Sequence, residues 1–302
     1  MMQRLRLIVL LSRPLFLLGG VLVYALGAGI ARYLGASIDW GYYFIGQAFV
    51  TTMQLSAQYL NEYFDAPSDQ KNSNRTPFSG GSGAVGEGKL SRETVMWAAL
   101  TTLTILASLA VVLISVVQLS PILVTIVVLA FLGSFFYSTP PIKLSHTGYG
   151  ELTTSILVAN LVPIFAFYLQ YGELHRLLVM STFPLTALHL AMMIVFEFPD
   201  YLNDLKYEKL TLLVRLGWER GMVLHNLLVL TAFLLLGLAV TFGLPLAIAL
   251  PAFIPLALGV LQIWQMRRIA GGGKPNWTMM AFTAVVLFGS VAYLLAFTYW
   301  TR

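Results

Sequence analysis

Apolar residues recur in long stretches near residues 14–31, 41–60, 95–117, 121–138, 152–171, 178–196, 222–242, 245–265 and 278–299, with short polar segments between them. Stretches of roughly 18–22 such residues suit helices that cross a hydrocarbon layer about 30 Å thick, because a helix satisfies its own backbone hydrogen bonds there. The strict alternation of a membrane β-barrel is absent. The pattern predicts an all-α, polytopic membrane bundle of about nine transmembrane helices, one domain over residues 1–302 with no soluble module. Met1–Arg13 carries Arg4, Arg6 and Arg13 ahead of the first span, like a signal peptide. No small-residue cleavage site follows cleanly and eight more spans do, so it reads as a retained first helix.

Composition agrees: 58% of the 302 residues are hydrophobic and 10% charged, with a mean hydropathy of +0.79. With no cysteine, disulfides, thiolate metal sites and thiol catalysis are excluded. The net charge of +5 is a matter of topology. With a cytoplasmic N-terminus, 15 of the 18 Lys and Arg residues fall on the cytoplasmic side, leaving Arg32, Arg176 and Arg302 opposite. No basic run interleaved with aromatics exists, so no nucleic-acid partner is expected. The reading is a multi-pass protein of a cell inner membrane with its functional end toward the cytoplasm.

Acids follow the same side: only Asp39 and Glu173 lie opposite. Two long cytoplasmic loops, Asn61–Thr94 and Glu197–Gly221, follow the second and sixth spans, which points to two similar four-helix halves plus a ninth helix. The first opens QYLNEYFDAPSDQKN, where Asn61, Asp65 and Asp69 recur every four residues and Gln54 and Gln58 extend the stripe into the membrane. Pro67 predicts that the helix ends or kinks near Ala66, leaving Asp69 on the loop. The second loop, FEFPDYLNDLKYEKLT, puts Glu197, Asp200 and Asp204 on one helical face, with Lys206 and Lys209 behind. Clustered carboxylates beside hydrocarbon need a cation, and oxygen ligands of this kind suit Mg2+ completed by water and phosphate oxygens. Two such clusters face to face would hold a diphosphate through metal bridges; solvated loop acids pairing with Lys and Arg are the plainer reading.

Between the motifs, NSNRTPFSGGSGAVGEGKLS reads either as a flexible connector or as a backbone cradle for phosphate, with Lys71 and Arg75 supplying charge. After the fourth span, the Pro140–Pro141 pair stops the helix, placing Tyr137 at the boundary and Lys143 in a short loop, with Glu151 opening the fifth span. Tyr137 and Lys143 serve equally as interfacial anchor and topology signal. His189 and Asn160 are the mid-membrane polar residues that a small transporter would use; packing or pocket roles are the alternative. His146, His175 and His225 form no metal-ligand spacing, and GGGKP near Gly271 reads as a connector.

Taken together, NEYFDAPSD, NRTPFSGGSG, YSTPPIKLSHTGYGE and DYLNDLKYEKLTLLVRLG resemble the UbiA superfamily of intramembrane prenyltransferases over roughly Asn61–Gly217. The Asp204–Lys209–Thr211 spacing followed by Leu-Val-Arg-Leu-Gly is most similar to the 1,4-dihydroxy-2-naphthoate polyprenyltransferases of menaquinone synthesis. The chain departs from that pattern at Glu62, where the family usually has Asp, at Glu208, where Gly is common, and at Glu197 and Pro199, where that branch often has Asn and Arg. The resemblance implies an Mg2+-dependent transfer from a polyprenyl diphosphate to an aromatic acceptor. It assigns metal ligation to Asn61, Asp65, Asp69, Asp200 and Asp204, diphosphate contacts to Asn61, Arg75, Lys143 and Lys209, and catalytic roles to Asp65, Asp200 and Tyr137. Relatives acting on 4-hydroxybenzoate, a tetrapyrrole or a glycerol phosphate lipid are the alternative, and the transporter the non-enzyme one.

Overall fold

In the computed structural model, described over residues 2–72, 74–117 and 120–302, the regular structure is helical and no strand occurs among the described residues. In order they are α1 (Met2–Leu11), α2 (Pro14–Tyr33), α3 (Trp40–Asp69), α4 (Arg92–Val116), α5 (Pro121–Phe135), α6 (Gly150–Ile156), α7 (Val162–Tyr171), α8 (Arg176–Glu197), α9 (Tyr201–Lys206), α10 (Leu212–Leu216), α11 (Trp218–Thr241), α12 (Leu246–Ala252), α13 (Leu256–Ala270) and α14 (Trp277–Thr301). Among the described residues seven segments are long and apolar enough to cross a membrane: α2, α4, Gly150–Tyr171, α8, α11, Leu246–Ala270 and α14. Two more helices fall where spans were expected. The 30-residue α3 carries a polar stripe, and α5 is apolar but has 15 residues.

Side chains at the span ends start several helices. Asp39 accepts from Tyr42 N (3.0 Å), Ser91 from Thr94 N (3.2 Å), Ser120 from Leu123 N (3.1 Å) and Asn276 from Met279 N (3.0 Å). On α4 the buried residues Val95, Ala99, Thr102, Leu106 and Leu113 form one stripe, which packs on α3, while Val111 and Ile114 are exposed. Lipid tails solvate such exposed faces as well as another helix would, so van der Waals fit decides which helices pair.

The breaks differ from the expected ones, and prolines explain most of them. The fifth span is interrupted by a π-helical turn, Leu157–Leu161, which ends two residues before Pro163, whose missing N–H leaves the local ladder incomplete. The eighth divides into α12 and α13 around Phe253–Pro255, flanked by Pro251 and Pro255. Pro67, by contrast, does not end α3, which runs on to Asp69. Its ring leaves the Tyr63 carbonyl without a helical donor, and Arg92 fills the gap: its guanidinium donates to Tyr63 O (3.1 Å) and lies 4.6 Å from the Tyr63 ring centre. The basic N-terminus forms the additional helix α1, and the second motif loop contains α9 and α10.

The largest apolar core surrounds α8 with α11, α12 and α14; a second joins α2, α3, α4, α5 and α7. Helix α2 belongs to both and packs closely on α7: a Cβ at Gly27 would lie 2.0 Å from the Pro163 carbonyl oxygen. The Gly27→Ala substitution therefore costs about 1–3 kcal/mol of overpacking. Differential scanning fluorimetry in detergent is expected to show a midpoint several degrees lower, while Gly19→Ala, with nothing within 4 Å of its Cβ, leaves the midpoint in place or raises it.

Candidate active site

A cavity of about 400 Å3 opens among α2, α3, α5, α6, α8 and α14. Its body is apolar, with Phe49, Met53, Ile126, Leu157, Met192 and Phe288 on the walls, and its mouth is acidic. The whole expected stripe of α3 (Gln54, Gln58, Asn61, Asp65 and Asp69) lines it. Asp200, which precedes α9, and Asp204 within α9 face that stripe, joined by Tyr137, Glu151, Glu197 and Lys209. The ends of α3 and α8 thus carry the two acidic motifs to one place, as their equal depth in the sequence predicts.

One ion pair joins the motifs. Lys209 Nζ donates to Asp65 Oδ2 at 2.7 Å, with side-chain exposures of 17% and 2%. Asn61 donates to the same oxygen (3.1 Å) and to Ser138 Oγ (3.1 Å), drawing the loop after α5 against α3. Asn72 donates to Asp200 Oδ1 (2.7 Å), so the first loop also reaches the second motif. Burial would pull the Lys209 ammonium down, but Asp65, Asp204 and Asp69 outweigh it and hold its pKa well above the ordinary value. Burial pushes Asp204 up to about 7 against the pull of Lys209, and raises Asp200 despite its bond from Asn72. Burial, with Glu151 nearby, pushes the Tyr137 phenol up, so it stays neutral.

The glycine-rich segment is an ordered wall. Phe78 stacks on Phe196 of α8 (centroids 5.8 Å apart, planes 8°), and Thr76 Oγ1 accepts from the backbone N–H of Phe78 (3.1 Å) and Ser79 (3.0 Å). Buried Glu62 accepts from Ser82 N (2.9 Å), Ser82 Oγ (2.6 Å) and Arg13 (3.0 Å), pinning the segment and the start of α2 to α3. Ser79, Gly80 and Gly81 line the cavity, as does Arg13. Arg75 does not: its guanidinium lies where a Gly83 side chain would project, 1.6 Å from that Cβ position, and Gly83 has φ +68°. Lys143 also stands off the cavity, its ammonium 5.7 Å from the Phe64 ring centre. In this structure Arg75 packs over Gly83 and Lys143 over Phe64 of α3.

Three non-glycine residues adopt left-handed backbone among the described residues: Arg13 (φ 41°), Lys143 (φ 45°) and Glu208 (φ 53°). Each lies in a different loop, Arg13 at the cavity and Glu208 next to Lys209, and each costs of order 1 kcal/mol or more. Glu208 immediately precedes Lys209, whose N–H donates to Asp204 O (2.9 Å); Glu197 accepts Leu213 N (2.9 Å) and closes the turn from behind.

The donor set suits a magnesium ion shared with a phosphate. Among the described residues no three acidic or histidine side chains converge into a ready metal cage. Magnesium takes one or two carboxylates and completes its octahedron from water and substrate oxygens, and each motif offers that many. Buried Asp65 Oδ1 has no hydrogen-bond partner, an acceptor left for a cation.

The model of the UbiA prenyltransferase family matches residues 20–286. The chain is a prenyltransferase of the UbiA family. It is 23% identical over 217 residues, 71% of each chain, to 1,4-dihydroxy-2-naphthoate octaprenyltransferase of Mycobacterium tuberculosis (strain ATCC 25618 / H37Rv). Its fold is similar to a UbiA homolog from Archaeoglobus fulgidus bound to DMAPP and Mg2+ (TM-score 0.65, 15% identity, 95% of this chain and 98% of that one). It is also similar to a digeranylgeranylglyceryl phosphate synthase (TM-score 0.61, 15% identity, 99% and 98%).

In this prenyltransferase the tie among Arg13, Glu62 and Ser82 escapes sequence reading, because its partners come from three distant segments and Glu62 lies one residue off the acidic stripe. Replacing Glu62 by Ala strands Arg13 and two donors of Ser82 at a local cost of about 2–4 kcal/mol. Limited trypsin digestion checks it: cleavage at Arg75 and Lys89 is expected to accelerate severalfold in Glu62→Ala, with the helical bundle intact by circular dichroism.

Proposed function

We propose that this prenyltransferase carries out Mg2+-dependent transfer of a polyprenyl group from an isoprenyl diphosphate to an aromatic acceptor, 1,4-dihydroxy-2-naphthoate in menaquinone biosynthesis. The reaction takes place at the cytoplasmic face of a cell inner membrane. The observation that carries the reading is the meeting of two acidic motifs at the mouth of one otherwise apolar cavity. A diphosphate bearing a long hydrocarbon has the same polarity gradient, so its head rests at the mouth and its chain in the body.

Asn61, Asp65, Asp69, Asp200 and Asp204 would hold magnesium, which supplies positive charge against the departing diphosphate. Lys209 turns its ammonium from Asp65 toward the diphosphate oxygens and adds charge-assisted hydrogen bonds. As the C–O bond to the diphosphate breaks, the allylic carbon becomes cationic. Tyr137 at the mouth presents a neutral aromatic face to that charge. The electron-rich acceptor ring then forms the new carbon–carbon bond, and for the dihydroxynaphthoate the ring carboxylate is lost as carbon dioxide. Apolar walls exclude the water that would otherwise capture the cation. The similarity to a 1,4-dihydroxy-2-naphthoate octaprenyltransferase supports the acceptor assignment.

The test is prenyl transfer by the purified protein from a labelled polyprenyl diphosphate to dihydroxynaphthoate and, separately, 4-hydroxybenzoate. Product is expected with magnesium and not with excess chelator. Asp65→Ala and Asp200→Ala should each lower turnover by about 10²–10³, and Lys209→Met should weaken donor binding by about tenfold or more. Metal-independent turnover, or full activity in both Asp variants, would overturn the metal-diphosphate reading; transfer confined to 4-hydroxybenzoate would reassign the acceptor.

A further inference from the structure

A second cleft, of about 410 Å3, lies between the glycine-rich segment and the turn that joins α13 to α14. Residues 74–76 and 274–278 line it, whereas Ser79, Gly80 and Gly81 line the active cavity, so one segment walls both. Cations meet here without counter-charge. Arg75 and Lys274 line the cleft, no carboxylate does, and neither cation forms an ion pair among the described residues. The flanking sequence supplies no acid either: none occurs from Gln70 to Gly86, and none anywhere after Glu219. Arg75 is settled in place by glycines, since a Cβ at Gly80 (φ +73°) would lie 2.9 Å from its Cγ and Gly83 leaves room for its guanidinium. Across the cleft, Gly271 N donates to Arg267 O (3.0 Å) and Gly273 N to Arg268 O (3.0 Å). The GGGKP turn is thereby folded onto the end of α13, where Arg267 and Arg268 are both exposed.

The depth of this surface identifies what can neutralise it. Helix α14 begins at Trp277 and its 25 residues span about 37 Å. A hydrocarbon layer is about 30 Å thick, so the opening turn of α14 and the cleft beside it stand among lipid headgroups. Thr278 lines the cleft, and on the same helix face Phe282 is 51% exposed, followed by half-buried Val286 and exposed Tyr293. The surface is cationic at headgroup level and apolar below it, which is complementary to an anionic amphiphile. We propose that the cleft docks an anionic phospholipid of the surrounding bilayer, its phosphate held by Arg75 and Lys274 and its acyl chain lying along Phe282 and Val286. A free phosphate would use the two cations and gain nothing from the apolar face. The lipid site is independent of which acceptor the active cavity takes.

Native mass spectrometry of the purified full chain, released from micelles doped equally with phosphatidylglycerol and phosphatidylcholine, tests the assignment by counting retained lipids. Wild-type protein is expected to retain phosphatidylglycerol over phosphatidylcholine by about tenfold or more, and Arg75→Gln and Lys274→Gln should each reduce that preference roughly fivefold. Lys274→Glu, at an exposed position, should abolish it while circular dichroism stays that of the wild type. The double variant Arg4→Gln, Arg6→Gln removes equal charge from α1 and should keep the full preference, and millimolar inorganic pyrophosphate should leave the lipid bound. A preference that survives Lys274→Glu would overturn the site. An equal loss in the α1 variant would reduce the effect to net charge, and displacement by pyrophosphate would make the cleft a site for free anions; either result overturns lipid docking.

Discussion

The rest of the site depends on how a concentration of negative charge is held beside hydrocarbon. Asp65, Asp69, Glu151, Glu197, Asp200 and Asp204 line one cavity, and the cations that share it are Lys209 and Arg13. Isolated buried carboxylates are prohibitively costly, so such an arrangement persists only where protein cations, hydrogen bonds, protonation or a ligand offset the charge. The ion pair from Lys209 to Asp65 does so at one oxygen and leaves the other oxygen of Asp65 unpartnered. A site with surplus acceptors and too few cations is poised for a positively charged ligand, and the ion pair is the contact that such a ligand would rearrange.

Much of the local architecture reads as support for that balance. Lys209 reaches Asp65 because the chain takes a left-handed step at Glu208, and the turn is tied by Lys209 N to Asp204 O and by Leu213 N to Glu197. The family often has Gly where this chain has Glu208, and the positive φ gives that preference a physical cause: the turn is kept, and the side chain bears the strain. Glu62 is a departure of another kind. Its longer side chain reaches both Ser82 and Arg13 and fastens the glycine-rich wall to α3. Neither departure displaces the acidic stripe from the cavity.

The apolar spans, the acidic stripe of α3 and its partner after α8 were legible in the sequence because each depends on spacing along one helix, and helical spacing converts directly into a shared face. Pro67 misled that reading. A proline frees the carbonyl four residues back, and here Arg92, 25 positions on, supplies a donor to it while α3 continues. Arg75 and Lys143 have the right charge in the right loops, yet one folds over Gly83 and the other over Phe64. Long cationic side chains choose partners through tertiary geometry, which residue type and loop membership do not encode. His189 was visible as a mid-membrane polar residue that fitted a transport pathway or a pocket equally; its contact with Ser155 and its place in the cavity wall put it in the pocket.

The polarity of the cavity also gives a reason for performing this chemistry within a membrane bundle. An allylic cation needs surroundings that stabilise positive charge without offering a nucleophile. Water fails the second condition, and a purely apolar pocket fails the first. Here anionic side chains are gathered at the mouth, and the body below is lined by Phe, Met, Leu and Ile. The lining also carries neutral polar side chains, among them Gln54, Gln58, Ser134, Thr154 and His189. Charge is therefore concentrated at one end of a mostly apolar cavity. A soluble enzyme would have to build a dry compartment for both long-chain donor and reactive cation; for this chain the surrounding lipid supplies much of it, and helix packing has only to shape the end where the charges meet.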